Sequence, residues 1–156
     1  MSEHLATIRW QCTGPDFLRG QYSREHTWTF DGGATVAASP SPSVVPAPWS
    51  KAAHVDPEEA FVASIASCHM LTFLWLAGRA GFQAESYADA AVGTMTKNER
   101  GVPWVSLVTL CPEIAWSGVK APTVAELERL HHRAHEECFI ANSIKTEVQV
   151  REPSTG

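Results

Sequence analysis

The sequence predicts an α+β domain with largely antiparallel strand pairing, and three observations carry that reading. Short stretches of strand-forming residues stand near the start of the chain, and a cleanly alternating one closes it. A long apolar run, Ala60 to Ala77, follows a well-formed helix start. A second helix opens on a capping box at Thr123 and leads into the closing strand.

In chain order, Ala6 to Gln11 and His26 to Phe30 read as strands, and Asp31-Gly32-Gly33 is a turn into a short strand at Thr35 to Ala38. Ser39 to Ser50 carries prolines at 40, 42, 46 and 48, which predicts a surface loop in extended form. Asp56-Pro57-Glu58-Glu59 then starts a helix. Asp56 can cap, proline suits the first helical position, and the carboxylates lie where the helix dipole favours negative charge. This helix should run to about Ala77, with Gly78 and Gly81 as stop signals, and its apolar surface almost all round predicts a helix enclosed by other elements. Strands near Tyr87 to Thr96 and Trp104 to Trp116 follow, joined by a polar turn at Lys97 to Gly101. In the second helix Val124, Leu127, Ala134, Cys138 and Ala141 share one stripe, so Cys138 faces the core. In the last strand Ile144, Thr146, Val148 and Val150 alternate with Lys145, Glu147, Gln149 and Arg151. No repeat or domain boundary is visible, so residues 1–156 are expected to form one domain.

With 44% apolar residues the chain can build a core, and 12 basic against 17 acidic residues leave a net charge of −5. That balance argues against a nucleic-acid partner, which needs a basic footprint, and against docking on anionic membrane. The polar start Met1-Ser2-Glu3-His4 lacks the pattern of a signal peptide. The run from Ala60 to Ala77 has the length of a membrane span, but Ser64, Ser67, Cys68, His69 and Thr72 interrupt it, which favours a core helix. A cytoplasmic location is expected. Cysteines 12, 68, 111 and 138 lie far apart with no C-x-x-C, unlike secreted frameworks and zinc ribbons. They are either buried small apolar groups or chemistry.

Cys68 stands near the middle of the long helix between Ser67 and His69, and Cys138 lies on the core stripe of the other helix. The segment Asp56-Pro57-Glu58-Glu59-Ala60-Phe61, with Ser67-Cys68 ten residues after the glutamate and Ala80-Gly81-Phe82 after the helix, resembles the OsmC/Ohr family. So does Ala134-His135-Glu136-Glu137-Cys138 followed by Ile144-Lys145-Thr146-Glu147-Val148. The similarity runs from about residue 6 to about residue 150. The resemblance implies an intertwined homodimer in which curved antiparallel sheets wrap long buried central helices. It also implies a thiol-dependent peroxidase that prefers organic hydroperoxides and is recycled by an external dithiol. Cys68 would be the peroxidatic residue, Cys138 the resolving one and Glu58 the carboxylate, with an arginine from the N-terminal strand region. No cofactor or metal is implied.

A free thiol is mostly protonated at neutral pH and the thiolate is the nucleophile, so a cation must reach Cys68. Arginine suits, because it stays charged and can fork to a carboxylate as well. Asp16-Phe17-Leu18-Arg19-Gly20 matches the family's arginine segment best and selects Arg19, with Arg24 as the alternative. Ten residues at ~1.5 Å rise put Glu58 and Cys68 about 15 Å apart along a straight helix. Either the carboxylate comes from a partner subunit, or the helix breaks, or Glu58 is only a helix N-terminal charge. In the implied cycle Cys68 attacks the O–O bond and becomes a sulfenic acid, and Cys138 condenses with it to a disulfide.

Two rival readings stand beside this one. His131, His132, His135 and Cys138 supply one: His131 and His135 are four apart, and His135 and Cys138 three apart, so with Cys68 and His69 nearby they could serve a zinc or iron site. Alternatively the chain keeps the fold and binds a small apolar ligand without catalysis. The chain also departs from the family pattern: Cys138-Phe139-Ile140-Ala141-Asn142 stands where the peroxidases carry Cys-Pro-x-Ser, and His69 follows Cys68. Cys12 and Cys111 match no family position. The six tryptophans, at 10, 28, 49, 75, 104 and 116, are expected in core and dimer packing, with Trp49 a candidate lid.

Overall fold

A computed structural model describes residues 1–151. Contacts divide the chain into two compact units, Met1–Ala60 and the residues from Phe61 onward.

The first unit is a three-stranded antiparallel sheet, β1 (Ala6–Trp10), β2 (His26–Phe30) and β3 (Thr35–Ala38), in that spatial order. The predicted strands and turn fall on these residues. Gly33 takes φ +87° in the β2–β3 turn, a conformation that disfavours side chains with a Cβ. Ser39 to Ser50 is not extended. It folds into successive turns, in which Val44 N–H and Val45 N–H donate to Ser41 O. Both its ends are buried: Ser39 Oγ accepts Lys51 N–H at 2.8 Å, and Ser39 N–H donates to Val55 O. Proline-rich composition predicted extension, but these backbone bonds draw the ends together instead.

The helix α1 (Pro57–Arg79) has its first turn in that unit and continues unbroken into the second. There follow β4 (Gln83–Asp89), β5 (Val92–Lys97), β6 (Pro103–Leu110), β7 (Pro112–Ser117), α2 (Val124–Glu137), a 3₁₀ turn (Ala141–Ser143) and β8 (Glu147–Val150). The two strands predicted over 87–96 and 104–116 are thus four. β5 and β6 form the hairpin around the predicted polar turn, while β4 leaves it to pair with β7 in a second sheet. Where β6 gives way to β7, the Asp89 carboxylate accepts Cys111 N–H at 2.7 Å, replacing a ladder bond at the break. β8 lies beside β6 in parallel register, an exception to the antiparallel expectation.

Two apolar clusters share α1. Ile65 packs with Val108 and Leu110, joined by Val148 and Val150 of β8. Phe73, Leu76 and Ala77 pack with Phe82, Leu130 and Ala134. Positions 65, 69, 73 and 76 form one stripe at helical spacing, so α1 is buried on one face. It is not enclosed all round as expected: Leu71 and Trp75 on other faces are 62% and 55% exposed. Thr123 caps α2 with the complete capping box, but Val124 in the first turn is exposed and Leu130 takes its place in the core stripe.

The approach of α1 to β5 depends on Gly93. A Cβ there would lie 2.5 Å from Val62 Cγ2, on a β-branched side chain with little freedom to turn away. Gly93→Ala is therefore expected to destabilise the protein by about 1–3 kcal/mol. A urea midpoint equal to wild type would show that the strand yields without cost.

Candidate active site: a thiol pair beside a buried histidine pair

Cys68 lies in the middle of α1, partly buried, and Cys138 is the residue at which α2 ends, 1% exposed. Their sulfurs are 2.7 Å apart, with the Cys138 thiol donating toward Cys68. Both are free thiols here. The structure thus brings together the two cysteines singled out in the sequence, 70 residues apart, at a distance from which a disulfide closes with little movement. Burial, and then the bond to Cys68, push the Cys138 thiol up to about 11.

The end of α2 is held by residues that the sequence motifs did not single out. Asn142 Nδ2 donates to Glu136 O at 2.8 Å and to Cys138 O at 2.9 Å, and Asn142 N–H also donates to Cys138 O. The carbonyls that a helix end leaves unpaired are thereby satisfied. Ala141 N–H points at Cys138 Sγ, 3.4 Å away. The sequence Cys-Phe-Ile-Ala-Asn, read above only as a departure, serves as a capping turn. Thr72 Oγ1 donates to Cys68 O one turn further along α1.

His69 and His131 were candidates for a metal. Instead the structure joins them to each other, His69 Nε2 to His131 Nδ1 at 3.0 Å. They are 1% and 9% exposed, with rings nearly parallel. Phe73 also stacks on His131, centroids 4.3 Å apart. Burial lowers the pKa of each to about 4; for His69 the neighbouring His131 and His135 add to it. His132 pairs with Glu136 at the surface, 3.2 Å. Among the described residues no group of three or more His, Cys, Asp or Glu side chains is arranged to hold a metal ion. His131, His132 and His135 edge a cleft of about 460 Å³ whose apolar wall includes Ile114, Trp116 and Leu127.

The histidine pair has a consequence for stability. Each group has a folded pKa below the unfolded value of 6.5, so the unfolded chain binds more protons between about pH 6.5 and 4. The stability that the neutral pair contributes is present above pH 6.5 and is lost as the pH falls through that window. Unfolding near pH 5 should take up roughly two more protons per chain in wild type than in His69→Leu/His131→Leu. Urea midpoints from pH 7 to 5 measure this, and equal slopes would show that the native pair is already protonated.

The first unit holds both candidate arginines. The Arg19 side chain is 82% exposed and pairs with Asp16, at 3.5 Å. Arg24 is fixed: its Nη1 donates to Gly20 O at 2.8 Å and Tyr22 O at 2.7 Å, and its guanidinium lies over the Tyr22 ring at 3.9 Å. It edges a second cleft of about 460 Å³, walled by Ile8, Trp10, Phe17 and Tyr22. Trp49 is linked to the same segment, since its carbonyl accepts Arg24 N–H. Glu58 lies in the first turn of α1, partly buried.

Residues 50–152 match the family model for OsmC-like protein. The chain belongs to the OsmC-like family. An OsmC-like protein of unknown function from Vibrio cholerae superposes with a TM-score of 0.93 at 52% identity, over 97% of this chain and 99% of that one. An organic hydroperoxide resistance protein OsmC from Legionella pneumophila superposes with a TM-score of 0.70 at 16% identity (97% and 95% covered). The organic hydroperoxide resistance protein OhrB of Bacillus subtilis gives 0.63 at 18% (96% and 98% covered). These two share the fold. No curated protein matches significantly. The OsmC-like assignment bears out the resemblance read from the two cysteine motifs, and with it the mixed α+β class.

Proposed function

We propose that this OsmC-like protein is a thiol-dependent peroxidase for organic hydroperoxides, acting in the cytoplasm as a homodimer. The observation that carries the reading is the 2.7 Å approach of the Cys68 and Cys138 sulfurs. Cys68 is the nucleophile, because it is the more accessible sulfur and the one toward which the Cys138 thiol donates. Its thiolate attacks one peroxide oxygen; the O–O bond breaks and, with one proton, the other oxygen leaves as an alcohol. The Cys68 sulfenic acid and the Cys138 thiol then condense to a disulfide with loss of water. An external dithiol returns both thiols.

The cation is an arginine of the N-terminal unit, Arg19 or Arg24. Arg24 has the better support, since its hydrogen bonds hold it at an apolar cleft suited to the organic part of a peroxide. Glu58 is the carboxylate that orients it. Because α1 is unbroken, one chain's Glu58 does not reach its own Cys68, and a partner subunit completes the site. The test is consumption of cumene hydroperoxide and hydrogen peroxide by wild type with a lipoyl or thioredoxin-like dithiol. Turnover is expected, faster with the organic peroxide; no turnover with any dithiol sinks the reading.

A further inference from the structure

His69 and His131 have no part in the chemistry just described, yet they are among the most deeply buried polar side chains of the chain. Such burial costs free energy unless each nitrogen is paired, and His69 Nδ1 has no partner among the described residues. A leucine at 69 would continue the stripe from Ile65 to Phe73 without that cost. The bond between the rings does something that packing does not.

Its position indicates what. The His69–His131 bond and the Cys68–Cys138 contact both tie α1 to α2, from neighbouring residues on α1 and from residues two helical turns apart on α2. The thiol tie changes with oxidation state: it is a covalent bond in one form and a contact in the other. The histidine tie involves no sulfur. An N–H···N bond is directional, and Phe73, one turn further along α1, stacks on the His131 ring and restricts its orientation. Apolar side chains at 69 and 131 would instead allow the helices several packings.

We propose that the His69–His131 hydrogen bond is a positioning clamp that fixes the crossing of α1 and α2, so that the two sulfurs stay opposed while the disulfide is open. The proposal rests on the redox-pair reading of Cys68 and Cys138. It makes His69 and His131 positioning residues, acting through the cysteines and not on a peroxide. The ionisable group facing the pair from α2 is His135, with His132, Glu128 and Arg151 around the adjoining cleft. Tyr87 of β4, with Asp89 beside it, lies against Phe73. One proton still leaves one ring as donor and the other as acceptor; protonation of both imidazoles leaves the bond without an acceptor nitrogen and opens the clamp.

The experiment equilibrates wild type, His131→Leu and His69→Leu/His131→Leu with reduced and oxidised glutathione at pH 7, then counts the Cys68–Cys138 disulfide by mass after alkylation. Both variants are expected to lose roughly tenfold or more in the equilibrium constant for closing the disulfide, as the effective concentration of one thiol at the other falls. The double variant should keep a urea midpoint near that of wild type. A double variant that closes the disulfide as readily as wild type overturns the clamp. Should the variants not fold, ring ¹⁵N shifts of the wild-type histidines decide. Both imidazoles are expected to be neutral and in single tautomers in the reduced as in the oxidised protein, and solvent-averaged tautomers in the reduced protein overturn the proposal. No peroxide is used. Wild type that closes the disulfide but consumes no peroxide refutes the peroxidase and leaves the clamp standing.

Discussion

Cys68→Ser is expected to bring peroxide consumption down to the uncatalysed background with every dithiol. A serine hydroxyl at neutral pH is neither ionised nor a comparable nucleophile toward oxygen, and among the described residues no general base approaches position 68 within hydrogen-bonding distance. The effect should be the largest of any single substitution, while folding is little changed because the side chains differ by one atom. The measurement is loss of cumene hydroperoxide under steady-state conditions with circular dichroism as the folding control. Retention of even a tenth of wild-type turnover would transfer the chemistry to another residue.

Cys138→Ser separates the two halves of the cycle. The first oxidation needs only Cys68, so one equivalent of peroxide should disappear rapidly, after which turnover stops. Without a resolving thiol the sulfenic acid persists and more peroxide carries it to the sulfinic acid. Mass spectrometry should therefore show Cys68 gaining one oxygen atom and then a second, where wild type shows the loss of two hydrogens. A variant that turns over at the wild-type rate with the same dithiol would mean that the reductant attacks the sulfenic acid directly, and that Cys138 protects without being required.

How much of this was visible in the sequence depends on the residue. The capping box at Thr123, the Asp56-Pro57 helix start and the alternation of the last strand are local signals, and the structure follows them. The division of two predicted strands into four was not local: it depends on β4 leaving β5 for β7, a choice made by long-range pairing and closed by one carboxylate at Cys111. The parallel β8 was invisible for the same reason, since alternation specifies a buried face and not a direction. Cys68 and Cys138 were legible because each stands in a motif. His69 stood out as an unusual neighbour of Cys68 and as a candidate metal ligand. Its spacing of four from both Ile65 and Phe73 did place it on the buried stripe, but nothing in a single sequence says that His131 lies opposite. Asn142 carries no local signal, because its role depends on the Glu136 and Cys138 carbonyls that the turn after α2 brings to its side chain.

In the proposed cycle the unequal burial of the two sulfurs also governs how long an oxidised molecule remains oxidised. There a reductant can approach only the Cys68 side, so Cys138 must leave as the thiolate. Burial disfavours the Cys138 thiolate and makes it a poorer leaving group, so exchange slows. Such a disulfide resists casual reduction by small monothiols and opens for a dithiol that can trap the mixed intermediate. On that proposal an oxidised molecule is a record of a peroxide encounter, with a lifetime set by a particular reductant and not by the general thiol pool.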